Sequence, residues 1–553
     1  MQRVFTNPTE IEKLAKKTYG IPDFLMMENA AASMNDFILS SWDKNNTAHK
    51  QEPSFSKIEN NSQPKVLIVC GKGNNGGDGY ALARKLQGKA DIQVYCFEEP
   101  AQSVSEAYVQ FEMCRKLGIC FLQKEELFAE IGVFDFIVDC LYGTGFHGEL
   151  KPEAAELINL LHQNASSKCI KIACDIPSGI DIHGNLATSQ SLQPLCFLAD
   201  YTISMGTQKL CFYSDAAKQA CGKIIVTDLG IAREQFEQAN KSSSENTYSD
   251  TISEDSSSSI YLIEKDDIIL PLRKNPAAHK GTYGHTAVFA GEKSGAAIIA
   301  ATAAMNFGSG LTTLVKTNNS NLEQFKISPE LMLSELIPAK TTSVVFGSGF
   351  DSFPQNDFAR FMDWFESKEK PTAVFDAGIL NAPEFINQLT EMNKKMDAQI
   401  VLTPHLLEFS RFCKNLNLKE VDFSIEALSK SPETKIKFCK MITSLFPNTT
   451  LVVKSANSFI FTAHPYDHKI TGTTNSCETY IIADGAPSLA KGGSGDVLAG
   501  MIGALLAQGY TAPQAAITAC EAHALASSNA SEFGKEAFDL TPEKLINHLK
   551  SFF

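Results

Sequence analysis

Long apolar runs are missing from this chain. No stretch reaches the roughly 18 apolar residues that a membrane-spanning helix needs. The first residues, MQRVFTNPTEIEKLAKK, are polar and contain no apolar signal core. From the sequence we therefore expect neither a membrane span nor a secretion signal.

Paired cysteines are missing as well. The 14 cysteines include no C-x-x-C pair, and Cys70, Cys96, Cys140 and Cys174 lie in apolar, strand-like runs. Buried thiols of this kind are typical of proteins in a reducing compartment. We therefore expect a cytoplasmic protein without disulfides.

Several catalytic and binding signatures are also absent. The sequence has no cluster with zinc-ligand spacing, no G-x-S-x-G and no Walker loop, because no Lys-Ser/Thr pair follows its glycines at the required distance. The net charge of −14 argues against a non-specific grip on nucleic acid.

The length and composition indicate a globular protein with more than one domain. The chain has 553 residues, of which 44% are hydrophobic and 20% charged. A Ser-rich acidic segment, 233–260, is interpreted as a linker between a first domain, 1–232, and a second domain, 261–553. The polar insert 43–63 is predicted to be an exposed loop.

A strand, a glycine loop and a helix open the alternating part of the first domain. KVLIVC is predicted to be a buried strand, Gly71–Gly79 (GKGNNGGDG) a loop, and YALARKLQ a helix. The loop satisfies G-x-G-x-x-G and Glu98 lies near the spacing of a ribose-binding acid, so a dehydrogenase is one interpretation. A pyrophosphate turn has no need of Asn74, Asn75 and Asp78, however. Their side chains suit hydroxyls, an amide or a metal ion.

Two further strands of this domain end in polar turns that contain glycine. Asp139 lies at the end of FDFIVDC, and Asp175 and Ser178 follow KIAC. The carboxyl ends of parallel strands share one edge of the sheet. We therefore expect these side chains to meet Asn75 and Asp78 in a single cleft.

The second domain also alternates strands and helices, and it contains the glycine-rich stretch Lys491–Gly500 (KGGSGDVLAG). Its glycines allow backbone N–H groups to approach an anion, and the helix that follows adds its positive end. Asp496 beside such a site suggests a base or a magnesium contact. The alternative is a glycine-rich turn whose aspartate caps a helix.

Two other side chains of this domain are candidate ligand contacts. His405 follows a proline turn, and Lys454 ends a predicted strand, TLVVK. A structural histidine and a solvated lysine are the alternatives.

The motifs resemble a known family. GKGNNGGDG, VDCLYGTG and CDIPSGID together resemble the epimerase domain of the NAD(P)H-hydrate repair family, whereas HKGTYGHTAVFAG, TPH and KGGSGDVLAG resemble its dehydratase domain. The resemblance covers the chain apart from the insert and the linker, and the domain order is similar to that of the bifunctional bacterial members. It implies two doubly wound α/β domains, a Rossmann-like three-layer sandwich followed by a ribokinase-like three-layer sandwich.

The resemblance also implies a reaction. The substrates would be NADHX and NADPHX, nicotinamide cofactors whose ring has gained water as a hydroxyl in either of two configurations. The first domain would interconvert the R and S epimers. The second would dehydrate the S epimer by phosphorylating its hydroxyl, with ADP or ATP as donor and Mg²⁺ on the phosphates. A homo-oligomer with neither nucleic-acid nor membrane partners is expected.

In the first domain the resemblance implies that Asp175 is the acid/base residue and that K⁺ is bound by Asn75, Asp139 and Ser178. The damaged cofactor would contact Asp175 and two segments, namely Asn74, Asn75, Gly76, Gly77 and Asp78, and Gly143, Thr144, Gly145, Phe146, His147, Gly148 and Glu149.

In the second domain the resemblance implies that Asp496 is the base toward the ring hydroxyl. The damaged cofactor would be held by Ala296, Gly349, His405 and Asp496. The nucleotide would be bound by Lys454, Ser455, Ala456, Asn457, Ser458, Gly493, Ser494 and Gly495.

The second domain departs from the family pattern at four turns. Ser348 stands between two glycines where the family has proline, and Gly378 stands where it has a second aspartate. Leu406-Leu407 replaces Pro-Gly after the histidine, and Ser455 replaces the glycine after Lys454.

Two rival interpretations are weighed against this one. A ribokinase-like kinase of a small alcohol, fused to a Rossmann-like domain, would share GGSGD but would not require N-N-G-G-D-G together with D-x-P-S-G. A scaffold of the kind found in RNA-decay proteins would have no need of Asp175, and the acidic charge disfavours it.

Overall fold

The computed structural model describes residues 1–48, 63–102, 105–188, 194–242, 259–416, 418, 422–463, 477–530 and 538–550. The chain divides into two compact units, chiefly Arg3–Thr251 and Ile252–Ser429 with Glu433–Phe553. No helix in these described ranges is long and apolar enough to cross a membrane. All 14 cysteines lie within them, and none forms a disulfide.

The N-terminal unit is built on a seven-stranded, all-parallel sheet with the order β11-β9-β6-β5-β2-β3-β4. The strands of this unit, which include two short pairs outside that sheet (β1 with β10 and β7 with β8), are β1 Gln2–Phe5, β2 Lys65–Cys70, β3 Asp91–Cys96, β4 Cys120–Phe121, β5 Phe136–Cys140, β6 Ile170–Cys174, β7 Ala187–Thr188, β8 Pro194–Leu195, β9 Tyr201–Met205, β10 Gln208–Lys209 and β11 Lys223–Thr227. Its helices are α1 Pro8–Tyr19, α2 Asp23–Ala48, α3 Asn74–Leu86, α4 Glu106–Lys116, α5 Lys124–Glu130, α6 Pro152–Asn164, α7 Lys218–Cys221 and α8 Arg233–Ser242.

Strand β2 is buried on both faces of this sheet. Val66 and Ile68 belong to one hydrophobic cluster, while Leu67 and Val69 belong to the cluster on the opposite face. A continuous apolar run such as KVLIVC is what a central parallel strand requires. The strand order reverses beside β2, because β3 lies on one side of it and β5 on the other. Such a reversal opens a crevice at the carboxyl ends of the strands.

The glycine segment after β2 is helical from Asn74, six residues earlier than the sequence predicted. Its glycines permit close packing. A Cβ at Gly76 would lie 1.9 Å from the Gly71 carbonyl oxygen, and one at Gly77 would lie 2.6 Å from the Met27 methyl group. The prediction of a loop was wrong because glycines that serve helix packing have the same local pattern as glycines that serve a turn.

Two predicted polar connections also begin later than expected. Helix α2 continues through Asp43 to Ala48, since a formed helix gains a hydrogen bond with each added residue even where side chains are polar. The segment 49–62 lies outside the described residues. The predicted linker 233–260 starts with α8, which packs on α1 and buries Phe236. Its residues 243–258 also lie outside the described ranges.

The C-terminal unit has the strand order β12-β21-β20-β19-β18-β17-β16-β13-β14-β15. These strands are β12 Ile260–Leu262, β13 His285–Phe289, β14 Leu311–Val315, β15 Met332–Ser334, β16 Ser343–Phe346, β17 Thr372–Phe375, β18 Gln399–Leu402, β19 Thr449–Val453, β20 Ser458–Thr462 and β21 Glu478–Ile482. Its helices are α9 Ser294–Asn306, α10 Gln355–Ser367, α11 Pro383–Asn393, α12 Leu406–Asn415, α13 Ile425–Lys430, α14 Pro432–Leu445, α15 Ser494–Ala507, α16 Ala512–Asn529 and α17 Pro542–His548.

The sheet of this unit is parallel except around β20, which pairs antiparallel with β19 and β21. Helix α15 packs against α9 and against strands β13, β16 and β17. The two helices approach so closely at Gly500 that a Cβ there would lie 2.0 Å from the Ala300 carbonyl oxygen. Both units are therefore doubly wound α/β structures, as the sequence predicted.

Candidate active sites

A cavity of about 640 Å³ lies in the N-terminal unit where β2, β5 and β6 end. Thirteen residues of this unit were predicted to bind substrate, and ten of them line the cavity: Asn74, Asn75, Asp78, Gly143, Thr144, Gly145, Phe146, His147, Glu149 and Asp175. The other three, Gly76, Gly77 and Gly148, are not among the lining residues. The cavity is of a size typical for small-molecule sites.

Asp175 follows β6 in a backbone conformation that side-chain-bearing residues rarely adopt, with φ of 68°. Its Oδ1 accepts hydrogen bonds from the Met205 N–H at 3.0 Å and from Lys209 Nζ at 2.6 Å. No described residue donates to Oδ2. The carboxylate is thus anchored through one oxygen, and the other is left for a ligand in the cavity.

Lys209 was not anticipated from the sequence. Its side chain is fully buried, and it donates to Asp175, to Ser204 Oγ at 2.7 Å and to the Met205 carbonyl at 3.2 Å. All three ammonium protons are therefore used. A lysine 34 positions from its partner carries no local signal, so only the folded arrangement of β6, β9 and β10 identifies it.

Five other carboxyl groups line this cavity with Asp175, and in two of them, Glu12 and Asp78, the charge of Asp175 helps to raise the pKa. Burial, together with the charge of Asp175, raises the pKa of Glu12 to about 7. The same two causes hold the pKa of Asp78 well above its ordinary value, and Cys174 Sγ donates to Asp78 Oδ2 at 3.9 Å. Asp78 was predicted as a site residue, whereas Glu12, on α1 far from every motif, was not.

The three residues predicted to hold a cation lie together beside the cavity. Asp139 accepts from Ser178 Oγ at 2.7 Å and from the Ser178 N–H at 2.8 Å, and Asn75 Nδ2 donates to the Tyr142 carbonyl at 2.9 Å. Asn75 Oδ1 is buried and has no hydrogen-bond partner. Burial raises the pKa of Asp139 to about 6, against the opposing effect of its hydrogen bonds. The orphaned amide oxygen is compatible with the cation site, which stays a prediction.

In the C-terminal unit a buried ion pair lies next to the start of α15. Lys454 Nζ donates to Asp376 Oδ1 at 2.7 Å, and Thr403 Oγ1 donates to the same oxygen at 2.7 Å. A Cβ at Gly495 would lie 3.2 Å from Lys454 Nζ. Although burial opposes it, Asp376 holds the pKa of Lys454 above its ordinary value. This lysine is therefore a buried cation at the N-terminus of a 14-residue helix.

Asp496 lies in the first turn of α15, not in the loop before it. Burial and the nearby Asp376 carboxylate raise its pKa to about 7, with Lys454 opposing them. Gly493, the residue before the helix, has φ of 92°, which favours glycine. The N-cap position is occupied by Gly493, which has no side chain to make a cap bond.

His405 and Lys454 are brought together by the backbone. The Lys454 N–H donates to the Pro404 carbonyl at 2.9 Å, and His405 pairs with Lys454 across a parallel bridge. His405 caps α12. Its Nδ1 accepts from the Glu408 N–H at 3.3 Å, and the His405 N–H donates to Glu408 Oε2 at 3.0 Å. Burial, with Lys454 nearby, lowers the pKa of His405. This capping box positions the histidine, although Leu406-Leu407 follows it in place of Pro-Gly.

Ala296 lies in the first turn of α9, and Gly349 lies in the loop that contacts the start of this helix. The Lys293 N–H donates to the Gly349 carbonyl at 2.9 Å, and the Ala296 N–H donates to the Lys293 carbonyl at 3.0 Å. Gly349 has φ of 78°. Strands β13 and β16, which lead into this helix and this loop, lie side by side where the strand order reverses.

The remaining predicted nucleotide contacts form the turn of the β19–β20 hairpin. Ser455 Oγ accepts from Lys435 Nζ at 2.9 Å and donates to the Asn457 carbonyl at 2.6 Å, while Ala456 lies between them and Ser458 begins β20. Ser494 Oγ donates to the Leu489 carbonyl at 2.8 Å. The serine that replaces glycine after Lys454 thus takes part in closing the turn.

Gly378, where the family pattern has an aspartate, is explained by packing in this chain. A Cβ at this position would lie 2.3 Å from the Phe350 carbonyl oxygen. The preceding residue, Ala377, has φ of 60°. The turn after β17 is therefore drawn against the loop after β16, and a side chain at 378 would force the two apart.

Comparisons with known proteins agree with this two-part geometry. Residues 24–211 match the family described as YjeF-related protein N-terminus, and residues 286–550 match NAD(P)H-hydrate dehydratase. The chain is 33% identical over 558 positions to the bifunctional NAD(P)H-hydrate repair enzyme of Helicobacter pylori, with 100% of both chains covered. It is 28% identical to the Coxiella burnetii enzyme of the same name, with 98% of this chain and 97% of that one covered.

A solved structure of an ADP/ATP-dependent NAD(P)H-hydrate dehydratase from Bacillus subtilis is 22% identical, with a TM-score of 0.39, and covers 51% of this chain and 92% of that one.

We predict that Lys209→Met destabilises the N-terminal unit by about 3–5 kcal/mol, because it leaves the Asp175 carboxylate buried without its cation. Denaturant unfolding measures the effect. Lys13→Met, at an exposed position of α1, should change stability little. The double variant Lys209→Met/Asp175→Asn should recover most of the loss. If Lys209→Met were as stable as the parent, the ion pair between Lys209 and Asp175 would not stabilise the N-terminal unit as predicted.

Proposed function

The chain belongs to the family of bifunctional NAD(P)H-hydrate repair enzymes, and from this premise we propose how its two units perform the repair. The protein is an NAD(P)H-hydrate epimerase and dehydratase. We assign the epimerase to the first domain, 1–232 with α8 added, and the dehydratase to 261–553. The small-alcohol kinase is disfavoured, because it gives no reason for the match over residues 24–211.

In the epimerase unit Asp175 is assigned as an acid/base residue. The observation that supports it is the one-sided anchoring of the carboxylate: Met205 and Lys209 hold Oδ1, and Oδ2 accepts nothing from the described residues. An ionised carboxylate beside a cavity for a small molecule can accept a proton from a ring hydroxyl or from an attacking water. The segments Asn74–Asp78 and Gly143–Glu149 would then hold NADHX or NADPHX.

A potassium ion is proposed beside this cavity, held by Asn75, Asp139 and Ser178. The orphaned Asn75 Oδ1, the Asp139 carboxylate and the Ser178 hydroxyl are oxygen donors, which suit a hard cation. Within the described residues no group of three or more His, Cys, Asp or Glu side chains could hold a metal ion, so a transition-metal site is not indicated there. When bound, K⁺ would supply positive charge at the turn between β5 and Gly143.

In the dehydratase unit Asp496 is assigned as the base toward the ring hydroxyl. The hydroxyl is a poor leaving group, and transfer of a phosphoryl group onto its oxygen converts it into a good one. The helix α15 N-terminus and Lys454 offer N–H donors and a cation to the transferring group. Ala296, Gly349 and His405 would hold the damaged cofactor, and Lys454–Ser458 with Gly493–Gly495 the nucleotide.

The phosphoryl donor is proposed to be ADP or ATP, with Mg²⁺ carried on its phosphates. A cytoplasmic location is proposed from the 14 cysteines, none of which is in a disulfide. Assembly into a homo-oligomer, and the absence of nucleic-acid and membrane partners, stay predictions from the sequence.

The proposed dehydration is tested by incubating the full chain with the S hydrate of NADH, Mg²⁺ and either ADP or ATP. Recovery of the absorbance of reduced nicotinamide is expected with at least one donor. Asp496→Asn should lower the rate about 10²–10⁴-fold, because the hydroxyl loses its base. Asp363→Asn, an exposed aspartate on α10 of the same unit, is the control and should match the parent. No recovery with either donor would contradict the proposal.

The dehydration should depend on pH near neutrality. A base with a pKa of about 7 is deprotonated above that pH, so kcat/KM should rise with pH and level off above about 7. Asp376→Asn removes a nearby negative charge and releases Lys454, and both changes favour the ionised form of Asp496. The rising limb of the pH–rate profile should therefore move to lower pH. A limb that stays in place would argue against Asp496 as the titrating base.

Potassium dependence is tested by exchanging K⁺ for a bulky organic cation. Epimerisation of the R hydrate should slow, and the melting temperature of the N-terminal unit should fall. Asn75→Leu should raise the K⁺ concentration needed to restore both, since it removes an oxygen donor. If the parent protein shows full activity and an unchanged melting temperature without K⁺, the cation site is wrong.

A further inference from the structure

Glu12 lines the epimerase cavity although it lies on the first helix of the chain, before every motif. It lies on α1, Pro8–Tyr19, whereas Asp175 follows β6, and both side chains line the same 640 Å³ cavity. No hydrogen bond or ion pair from the described residues engages the Glu12 carboxyl. A half-buried carboxyl group without a structural partner is costly to keep. It is therefore more readily explained by a ligand than by the fold.

The charges around Glu12 come from several elements. Asp175 after β6 and Asp23 at the start of α2 are negative neighbours, while Lys209 in β10 and Lys16 on α1 are positive ones. Asp78, on α3, is influenced by both Glu12 and Asp175. Of Glu12, Asp78 and Asp175, only Asp175 has a buried ammonium partner. Glu12 and Asp78 lie near its negative charge without such a partner.

We propose that Glu12 is the second acid/base residue of the epimerisation, acting on the hydroxyl-bearing ring carbon in concert with Asp175. This inference rests on the role proposed above for Asp175. It accounts for why an epimerase, which must work on either configuration, would bring two carboxyl groups to one cavity from different elements.

The step balances with water as the only co-reactant. The hydroxyl-bearing carbon is bonded to the ring nitrogen. Glu12 donates its proton to the hydroxyl, the C–O bond breaks with its electron pair leaving on water, and the nitrogen lone pair forms a C=N bond. A water then adds to the other face of that carbon, and Asp175 accepts its proton. The hydroxyl is regained with inverted configuration, and one proton has passed from Glu12 to Asp175.

The reverse reaction starts from the protonation state in which the forward reaction ends. With Asp175 protonated and Glu12 ionised, the same steps run in the other direction. A pair of carboxyl groups that holds one proton in total therefore serves both epimers. This pattern of two carboxyl groups in different protonation states is known from other acid–base enzymes.

Two other groups, Lys209 and Asp78, interact with both Glu12 and Asp175, and neither fits this role as well. Lys209 uses all three of its protons on Asp175, Ser204 and Met205. Asp78 is buried on α3, where burial holds its pKa well above its ordinary value and so disfavours its ionised form. Glu12 titrates with a pKa of about 7, where both of its forms are present.

The test uses the full chain with purified R hydrate and no nucleotide, so that the dehydratase is silent. Formation of the S hydrate is followed by chromatography. Glu12→Gln should lower kcat for epimerisation about 10²–10⁴-fold while KM changes only a few-fold. Glu10→Gln, on the same helix but exposed, is the matched control and should match the parent. The dehydratase rate of each variant, measured with S hydrate and nucleotide, should not change, and thermal unfolding confirms that the variants are folded.

The pH profile separates a catalytic Glu12 from a structural one. The active pair carries one proton, so kcat/KM of the parent should fall as pH rises through about 7 and the pair loses it. Glu12→Asp should retain part of the activity and shift this limb. In Glu12→Gln the alkaline limb should disappear from the residual rate.

Three outcomes would overturn the inference. A folded Glu12→Gln variant that epimerises within a few-fold of the parent excludes the role, and so does a residual rate with an unchanged alkaline limb. In heavy-oxygen water the product should gain solvent oxygen, so full retention of the original oxygen contradicts C–O cleavage. The Asp175→Asn variant separates a failure of this inference from a failure of the proposed epimerase site. If Asp175→Asn is inactive while Glu12→Gln is active, only the role of Glu12 is wrong. If Asp175→Asn is active, the role proposed for Asp175 is wrong.

Discussion

Parallel strands that pair in register end at a common edge, and both sites of this protein depend on that constraint. In the N-terminal sheet β2, β5 and β6 pair residue by residue, so the turns that follow them open on one side. In the C-terminal sheet β16, β17, β18 and β19 do the same. The polar residues after these strands are far apart in sequence. The hydrogen-bond register of the sheets brings them together, because each strand fixes where its own turn begins.

At the strand-end edge of each sheet, burial and neighbouring charges set the pKa of the carboxyl groups. Asp175 is paired with the buried Lys209, and Asp376 with Lys454. Next to each ion pair lies a carboxyl group whose pKa is raised to about 7, Glu12 in the first unit and Asp496 in the second. An unpaired carboxyl that is buried near a fixed negative charge titrates close to neutrality. The two units thus arrive at the same electrostatic arrangement on different sheets, and in each a carboxyl group with a pKa of about 7 is its consequence.

The glycines of the two glycine-rich segments permit close helix packing, whereas their spacing suggests ligand-binding loops. At Gly71–Gly79 and at Gly493–Gly500 they let a helix begin early and lie close to neighbouring backbone, as the approach of Gly500 to Ala300 shows. The helix N-termini are therefore placed rigidly at the sites. The same close packing explains Gly378, where a side chain would collide with Phe350. A departure from a family pattern can therefore be dictated by packing as well as by chemistry.

The sequence by itself determined the two α/β units, the strands, and the strand ends and glycine-rich segments near which Asn75, Asp139, Asp175 and Asp496 lie. Apolar runs that end in glycine and acid are local patterns, and the edge rule for parallel sheets follows from them. Only the tertiary structure decided that Glu12, Lys209 and Asp376 belong to the sites, that α3 begins at Asn74, and which carboxyl groups keep a proton. These properties depend on what lies across the cavity or under the helix. Such neighbours are distant in the chain, and no local pattern encodes a contact between residues as far apart as Asp175 and Lys209.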